Sequence, residues 1–404
     1  MEAFLQPLQG LAEFEEIKKR CGANRGILNV SGCMESQKVH LMYGLSGLFP
    51  CHLILADDER NAKEIYEDYR FYDKNVYFYP AKDLLFFQAD IHGNLLIRQR
   101  MRVIRALLEQ EEVTVVTSID GCMDFLMPLE KIKSSLLHFK SDSVIDLDQL
   151  KADLVDLGYE RVGQVELPGQ FSVRGGIVDI YCLTEENPWR IELWGDEIDS
   201  IRSFDKESQR SIEEVETLTI YPASEIILNQ PRIDHGLRQM EEDYEKLIQK
   251  FKKEKKTDQQ LRLKKEMNRV REELRELHML IGVEGYLPYF YDNTECILDY
   301  FPKESLIYFD EPKHIRERAD AFYLEYSESM KSRLEGGYLL PKQAHTVTDY
   351  ESILYQIEKH PIISYSVIST EINDFVVSKT LFMETKSIQS YNNSFEELVK
   401  DLTK

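Results

Sequence analysis

From Val165 the chain reads Val-Glu-Leu-Pro-Gly-Gln-Phe-Ser-Val-Arg-Gly-Gly-Ile-Val-Asp-Ile-Tyr to Tyr181. It continues with Trp189-Arg-Ile-Glu-Leu-Trp-Gly-Asp-Glu-Ile-Asp-Ser-Ile-Arg202, Phe204-Asp205 and Ser208-Gln209-Arg210. Short apolar runs broken by Gly-Gly and Gly-Asp pairs predict consecutive strands joined by tight turns. Side chains alternate faces along a strand. In Trp189–Trp194, Ile191 and Leu193 therefore face a core, while Arg190, Glu192 and Trp194 share the other face. Gly195-Asp196 is a two-residue hairpin signal, with Glu197–Phe204 returning antiparallel. Arg and Trp on a solvent-facing sheet match the composition of binding hot spots. On composition alone a blander arrangement is favoured, with Trp194 packed under a helix and Arg190 in an ordinary surface pair. Arg174-Gly175-Gly176 marks a bulge or a close backbone approach. A single RGG is too short to be an RNA-binding tract.

The flanking segments have other periods. Residues 1–135 alternate strands (Gly26–Val30, His52–Ala56, Val76–Tyr79, Val113–Thr117) with helices (Asp57–Tyr69, Leu95–Leu108), which predicts a parallel sheet covered by helices. Residues 136–222 give one helix, Asp146–Leu157, and then the strands above, a small α+β domain. In residues 223–345, Leu237, Met240, Tyr244, Leu247 and Phe251 recur at helical spacing, as do Leu263, Met267, Val270, Leu274 and Leu277. A helical hairpin and one long helix both fit. Its charges read as a solvated face over a narrow apolar stripe, acids matching bases, rather than as a DNA-binding helix. Residues 346–404 add a helix (Tyr350–Lys359), a strand (Ile362–Ile368) and a helix (Phe395–Leu402), read as the start of a further small α/β domain. The expected class is α/β multidomain. The stop after that last helix suggests a chain cut inside a longer protein.

At 404 residues the chain is too long for one ordinary core. Its net charge of −22 gives no general counterion-release affinity for DNA, leaving only a local basic patch able to bind it. The six cysteines, Cys21, Cys33, Cys51, Cys122, Cys182 and Cys296, form no CxxC pair and have no histidine at ligand spacing. They predict reduced thiols, no zinc site and a cytoplasmic location. No basic-then-apolar leader opens the chain, and no apolar run nears the ~20 residues that span a bilayer. The nine histidines form neither HxxxH nor HExxH. Asn392-Asn393-Ser394 matches a glycosylation acceptor, irrelevant in a cytosolic chain.

Asn29-Val-Ser-Gly-Cys-Met-Glu-Ser-Gln-Lys-Val39 follows the first strand, where a phosphate loop would lie. Such a loop needs G-x-x-x-x-G-K-[ST]: glycines so that backbone N–H groups cradle phosphates, a Lys to neutralise them, a hydroxyl for magnesium. One register puts Asn29, Met34, Glu35 and Ser36 at the key positions, with a carboxylate where the Lys belongs. The other puts Gly32, Gln37, Lys38 and Val39 there, keeping the Lys but losing the second Gly and the hydroxyl. Neither is a working site. Asp310-Glu311, after the apolar strand Leu306–Phe309, looks like a Walker B acid pair without a partner. No catalytic constellation stands out.

The order of these features resembles the N-terminal third of the bacterial transcription-repair coupling factors, from about residue 26 to about 345. The matching pieces are Pro168–Asp179, Trp189–Arg202, Phe204-Asp205, Ser208–Arg210, Ile220-Tyr-Pro-Ala223, Tyr286-Leu-Pro288, Leu298–Pro302 and Phe309–Pro312. The first group is shared with the UvrB excision-repair proteins. A UvrB would carry an intact phosphate loop and a Tyr-rich hairpin that enters damaged DNA. Here the loop is degenerate, and Lys82–His92 is too short and lacks the tyrosines. The resemblance implies a degenerate helicase-like, UvrB-like sheet domain (1–135 and 223–345) split by a docking domain (136–222) that binds UvrA. It implies Arg174, Arg190 and Trp194 as the UvrA contacts; the family has Phe at the last, so Trp194 departs while keeping an aromatic anchor. It implies no catalysis and no cofactor here. ATP, magnesium, RNA polymerase and DNA belong to domains further along such proteins, which could also mask the docking face by intramolecular contact. The alternative is a weak ATPase or helicase half.

Overall fold

The apolar runs become the strands of two sheets. The computed structural model describes residues 2–22, 26–82, 93–109, 112–277, 280–368, 372, 374–385, 391 and 394–403. Residues 83–92, most of the stretch compared with the UvrB hairpin, and Asn392 and Asn393 of the acceptor pattern lie outside them. In chain order the strands are β1 (Ile27–Ser31), β2 (Cys51–Ala56), β3 (Val76–Tyr79), β4 (Val113–Ser118), β5 (Leu137–Lys140), β6 (Glu160–Arg161), β7 (Gln170–Arg174) and β8 (Ile177–Tyr181). Then come β9 (Trp189–Trp194), β10 (Glu197–Phe204), β11 (Ser211–Glu214), β12 (Thr217–Ile220), β13 (Ser305–Asp310), β14 (Ile362–Ser366) and β15 (Val377–Phe382).

The larger sheet runs β15-β1-β14-β13-β2-β4-β3, every pair parallel. β2, β4, β13 and β14 are buried along their whole length, so they carry unbroken apolar or β-branched runs instead of alternation. Leu53, Leu55, Val115, Ile307 and Phe309 pack on one face with Met101 and Ile104 of the Gly93–Glu109 helix and Ile315 and Ala319 of Pro312–Glu335. Ile54, Val116, Tyr308 and Tyr365 pack on the other with Val39 and Met42 of Glu35–Gly44 and Ile65 and Tyr69 of Glu59–Tyr72. Each fully buried side chain of this kind contributes about 1.5–3 kcal/mol.

β14 and β15, from the residues beyond 346, complete this same sheet instead of building one of their own. The physical reason lies in β14: Ile-Ile-Ser-Tyr-Ser is buried throughout and needs a strand on each side, supplied by β1 and β13.

After β4 the chain leaves this sheet and builds a second, β11-β10-β9-β8-β7-β6, with β12 and β5 as a separate pair. All its neighbours are antiparallel except β6 and β7. Leu150 and Leu154 of the Leu147–Asp156 helix share its apolar cluster with Phe171, Val178, Ile180, Ile191, Ile198 and Ile201. The chain then returns to the first sheet at β13, beside β2.

A buried ionic network locks the junction. Arg100, fully buried, donates to Glu225 Oε1 at 2.6 Å, Asp124 Oδ2 at 3.0 Å and the Pro80 carbonyl at 2.7 Å, and lies over the Tyr79 ring at 4.1 Å. Lys82 Nζ lies 2.6 Å from Glu225 Oε2. Burial alone would raise the Glu225 carboxyl, but Arg100 and Lys82 outweigh it and bring it down to about 2.

Of the two arrangements open for residues 230–277, the hairpin forms. Gln230–Lys253 and Thr257–Glu272 are separate helices, and Lys255 takes a left-handed φ of +56° between them. Leu247 and Phe251 of the first helix and Leu263 and Met267 of the second are buried.

Candidate functional site

β9 and β10 join through a two-residue turn, Trp194 pairing with Glu197 and Gly195 at φ +65°. The alternation read from the sequence holds: Ile191 is buried and Arg190, Glu192 and Trp194 lie on the opposite face. Trp194 is 84% exposed, so no helix covers it. Arg174-Gly175-Gly176-Ile177 is a second two-residue turn, with Gly175 at φ +61°. Gly176 also makes the close approach that its lack of a side chain allows. Its carbonyl accepts from Leu193 N at 2.7 Å, and a Cβ there would sit 2.9 Å from the Leu193 carbonyl oxygen.

The register then fixes the face. Arg174 opposes Ile177, which opposes Glu192; Asp179 opposes Arg190, which opposes Arg202. Arg174 is two strands, roughly 10 Å, from the β9 row that holds Arg190 and Trp194.

Asp179 is the centre of this face, with its side chain only 1% exposed. Arg190 grips both its oxygens, Nε to Oδ1 at 2.6 Å and Nη2 to Oδ2 at 2.9 Å. Arg174 Nη2 donates to Oδ2 at 2.7 Å. Arg190 Nη2 also donates to Gln209 Oε1 at 2.9 Å, and its guanidinium lies 4.3 Å from the centre of the Phe204 ring. Gln209 is held in a left-handed turn (φ +59°) by Asp205, whose carboxylate accepts from Ser208 N at 2.8 Å. Those Ser208 bonds lower the Asp205 pKa. Hydrogen bonding to Asp179 raises the Arg190 pKa further, so this guanidinium is always charged. Glu192 pairs with Arg202 beside it.

The three residues singled out from the sequence thus occupy one face in different states. Trp194 is open and Arg174 is about half exposed (46%), while Arg190 is 14% exposed and fully engaged within the chain. Sequence reasoning missed Asp179 and Gln209 as members of the group. The signal for Asp179 was present: a lone acid in the apolar strand Ile-Val-Asp-Ile-Tyr, on the strand next to Arg190.

The phosphate-type loop is engaged in a different way. Lys38, in the first helix turns after β1, is buried and donates to Asp310 Oδ1 at 2.7 Å and Glu311 Oε1 at 2.9 Å. Burial works against its charge, but Asp310 and Glu311 outweigh it and raise its pKa. Asn61 Nδ2 donates to Asp310 Oδ2 at 3.1 Å, and Glu311 Oε1 also accepts from Val367 N at 2.7 Å. The structure therefore joins Lys38, Asp310 and Glu311, and leaves Glu35 and Ser36 exposed on the first turn of Glu35–Gly44.

Three features oppose a bound triphosphate. The Gly32 N–H donates to the Ser366 carbonyl at 3.0 Å, and Met34 N donates to Gln37 Oε1 at 3.1 Å, so two loop donors are already used. Lys38 is neutralised by two carboxylates. The neighbouring cleft of about 400 Å³ is lined by Glu35, Glu64, Glu67, Asp68 and Asp310 against Lys38 and Lys63. Acids outnumber lysines in that lining, so a further anion meets net repulsion there. Among the described residues no group of His, Cys, Asp and Glu is arranged to hold a metal ion. All six cysteines are free and buried. No described helix is long and apolar enough to cross a membrane.

Residues 137–226, which contain the whole Asp179-centred face, match the family described as the UvrB interaction domain. The transcription-repair-coupling factor of Bacillus subtilis (strain 168) is 31% identical over 388 residues, 92% of this chain and 32% of that protein. Those of Staphylococcus epidermidis (strain ATCC 35984) and Staphylococcus aureus (strain MRSA252) are 29% and 28% identical over 324 residues, 80% of this chain and 27% of each. The chain is similar to the transcription-repair-coupling factors over most of its length. It spans about a third of the length of the curated relatives it matches.

Proposed function

We propose that the β7–β8–β9 face is a docking surface for UvrA, and that the chain is an interaction module in transcription-coupled nucleotide excision repair. The observation that carries this reading is Trp194: a large aromatic left 84% exposed on a regular strand, on the face it shares with a half-exposed Arg174. Exposed aromatic and Arg side chains are the residue types that anchor interfaces. Here they stand on a platform already ordered by the Arg190–Asp179–Gln209 network, which lowers the ordering cost of binding. Arg190 acts in this reading as a positioning residue, aiming Arg174 through the shared Asp179. The module works without nucleotide chemistry of its own. Contacts with RNA polymerase in transcription-repair coupling would involve other parts of such proteins.

Titration calorimetry of UvrA with the 404-residue chain tests this. Trp194→Ala and Arg174→Ala should each weaken binding by about 10-fold or more, the ~1.4–2 kcal/mol expected of a hot spot. Both variants should keep the parent's circular dichroism. No binding by the folded parent chain, or unchanged affinity in both variants, would overturn the proposal.

A further inference from the structure

The charges of the helical hairpin are spread unevenly along it. Acids gather at Glu241, Glu242, Asp243 and Glu245, part-way along the first helix. Around the turn, residues 250–265 hold seven lysines and Arg262 against Glu254 and Asp258 alone. The solvated, balanced face expected from composition is in fact segregated, with a cationic end on a chain whose net charge is −22.

This end is exposed and firmly held. Lys250, Lys252, Lys253, Lys255, Lys264 and Lys265 are exposed. Among the described residues no ion pair or hydrogen bond engages the ammonium groups of Lys252, Lys253, Lys255 or Lys264. Below them Phe251 and Leu263 are buried, Arg262 lies over the Tyr338 ring at 4.8 Å, and Arg262 Nη1 donates to the Gly336 carbonyl at 3.3 Å. Gly337 lets the loop after the Pro312–Glu335 helix come close: a Cβ there would sit 2.6 Å from the Gln259 carbonyl oxygen.

We infer that this end of the hairpin is a contact surface for the phosphate backbone of duplex DNA. Lysines are flexible point charges suited to sequence-independent phosphate contact. Protein interfaces are instead depleted in Lys and built on apolar anchors, and Leu261 is the one large apolar side chain exposed between Lys250 and Lys265. From Lys256 to Lys264 the second helix rises ~12 Å, enough to face several phosphates of a duplex carrying one charge per ~1.7 Å. The acidic remainder repels DNA, so contact is confined to this end and weak. The inference uses no residue of the β7–β9 face and does not depend on the docking proposal.

The test is fluorescence anisotropy of a labelled duplex of about 25 base pairs, titrated with the chain at ~50 mM salt and above. The parent chain should bind with a Kd of ~10⁻⁴–10⁻⁶ M, weakening steeply with salt. Lys252→Glu/Lys253→Glu/Lys255→Glu should lose at least about 10-fold and flatten the log–log salt slope by about 2–3. The control Lys18→Glu/Lys303→Glu/Lys331→Glu makes the same net-charge change at exposed lysines elsewhere and should bind almost as the parent does. Equal losses in both triple variants, or no binding by the parent, would overturn the inference. So would binding of poly-glutamate at the hairpin end without binding of duplex, which would assign the surface to an acidic protein.

Discussion

Replacing Arg190 by Ala strips both oxygens of a carboxylate that is 1% exposed of their main partner. Removing one member of a buried ion pair costs about 3–5 kcal/mol. Asp179 keeps its 2.7 Å bond to Arg174, which brings the loss just below that range, to ~2–3 kcal/mol. Losing the guanidinium from the Phe204 ring adds ~0.5–1 kcal/mol. The expected total is about 3 kcal/mol. The chain has two tryptophans, Trp189 and Trp194, both on β9. Trp194→Phe changes an exposed site, should alter stability by less than ~0.5 kcal/mol, and leaves buried Trp189 as the only fluorescent tryptophan. Urea unfolding read by Trp189 emission then follows the docking sheet itself. With a slope of about 1–2 kcal/mol per molar, Arg190→Ala should lower the midpoint by about 1.5–3 M. Replacing both partners, Arg190→Met with Asp179→Leu, should recover much of that loss, because no buried charge is left unpaired. A midpoint for Arg190→Ala within about 0.3 M of its parent would refute the reasoning and make Arg190 an ordinary surface pair.

Three further outcomes are expected. Lys38→Ala should destabilise the larger sheet by about 3 kcal/mol, read by far-ultraviolet circular dichroism in urea, since it abandons Asp310 beside Glu311; unchanged stability would contradict the buried pairing. All six cysteines are buried, and burial raises the thiols of Cys21, Cys182 and Cys296 to about 12 and Cys33 to about 11. A thiol reagent at pH 8 should label the native chain only on the timescale of unfolding and all six in urea; fast labelling of the native chain would disagree. Glu225 is held from 4.5 down to about 2, so its stabilising contribution is fully present above pH ~4.5 and lost as the pH falls toward 2. Glu225→Gln should be less stable than the parent at pH 5 and show a smaller further loss at pH 3; identical pH dependence would refute that assignment.

The α/β class was legible because burial leaves a pattern. β2, β4 and β13 read as continuous apolar strands since both faces are covered, and β9 alternates since one face is not. The two-residue turns after Arg174 and Trp194 carry the glycines their backbone needs. What the sequence hid was partnership across distance. Lys38 meets Asp310 across 272 positions, and no local rule says that the phosphate-loop lysine is matched by the acids rather than left for a phosphate. Arg100 reads as the polar face of an amphipathic helix until Glu225 and Asp124 converge on it from other segments. β14 reads as a strand, but its place between β1 and β13 is a matter of topology. Hairpin charge averaged over its length concealed the basic turn, because acids on the first helix cancel lysines they do not touch.

The central claim is that Trp194 is an open anchor for a partner while Trp189 stays in the core. Incorporating 5-fluorotryptophan gives two fluorine signals, one from each residue, and only that of Trp194 should respond to replacing H₂O by D₂O in the free chain. On adding unlabelled UvrA, the account predicts that the Trp194 signal shifts and loses this solvent response while the Trp189 signal keeps its position. A complex in which the Trp194 signal keeps both its shift and its solvent response would contradict it.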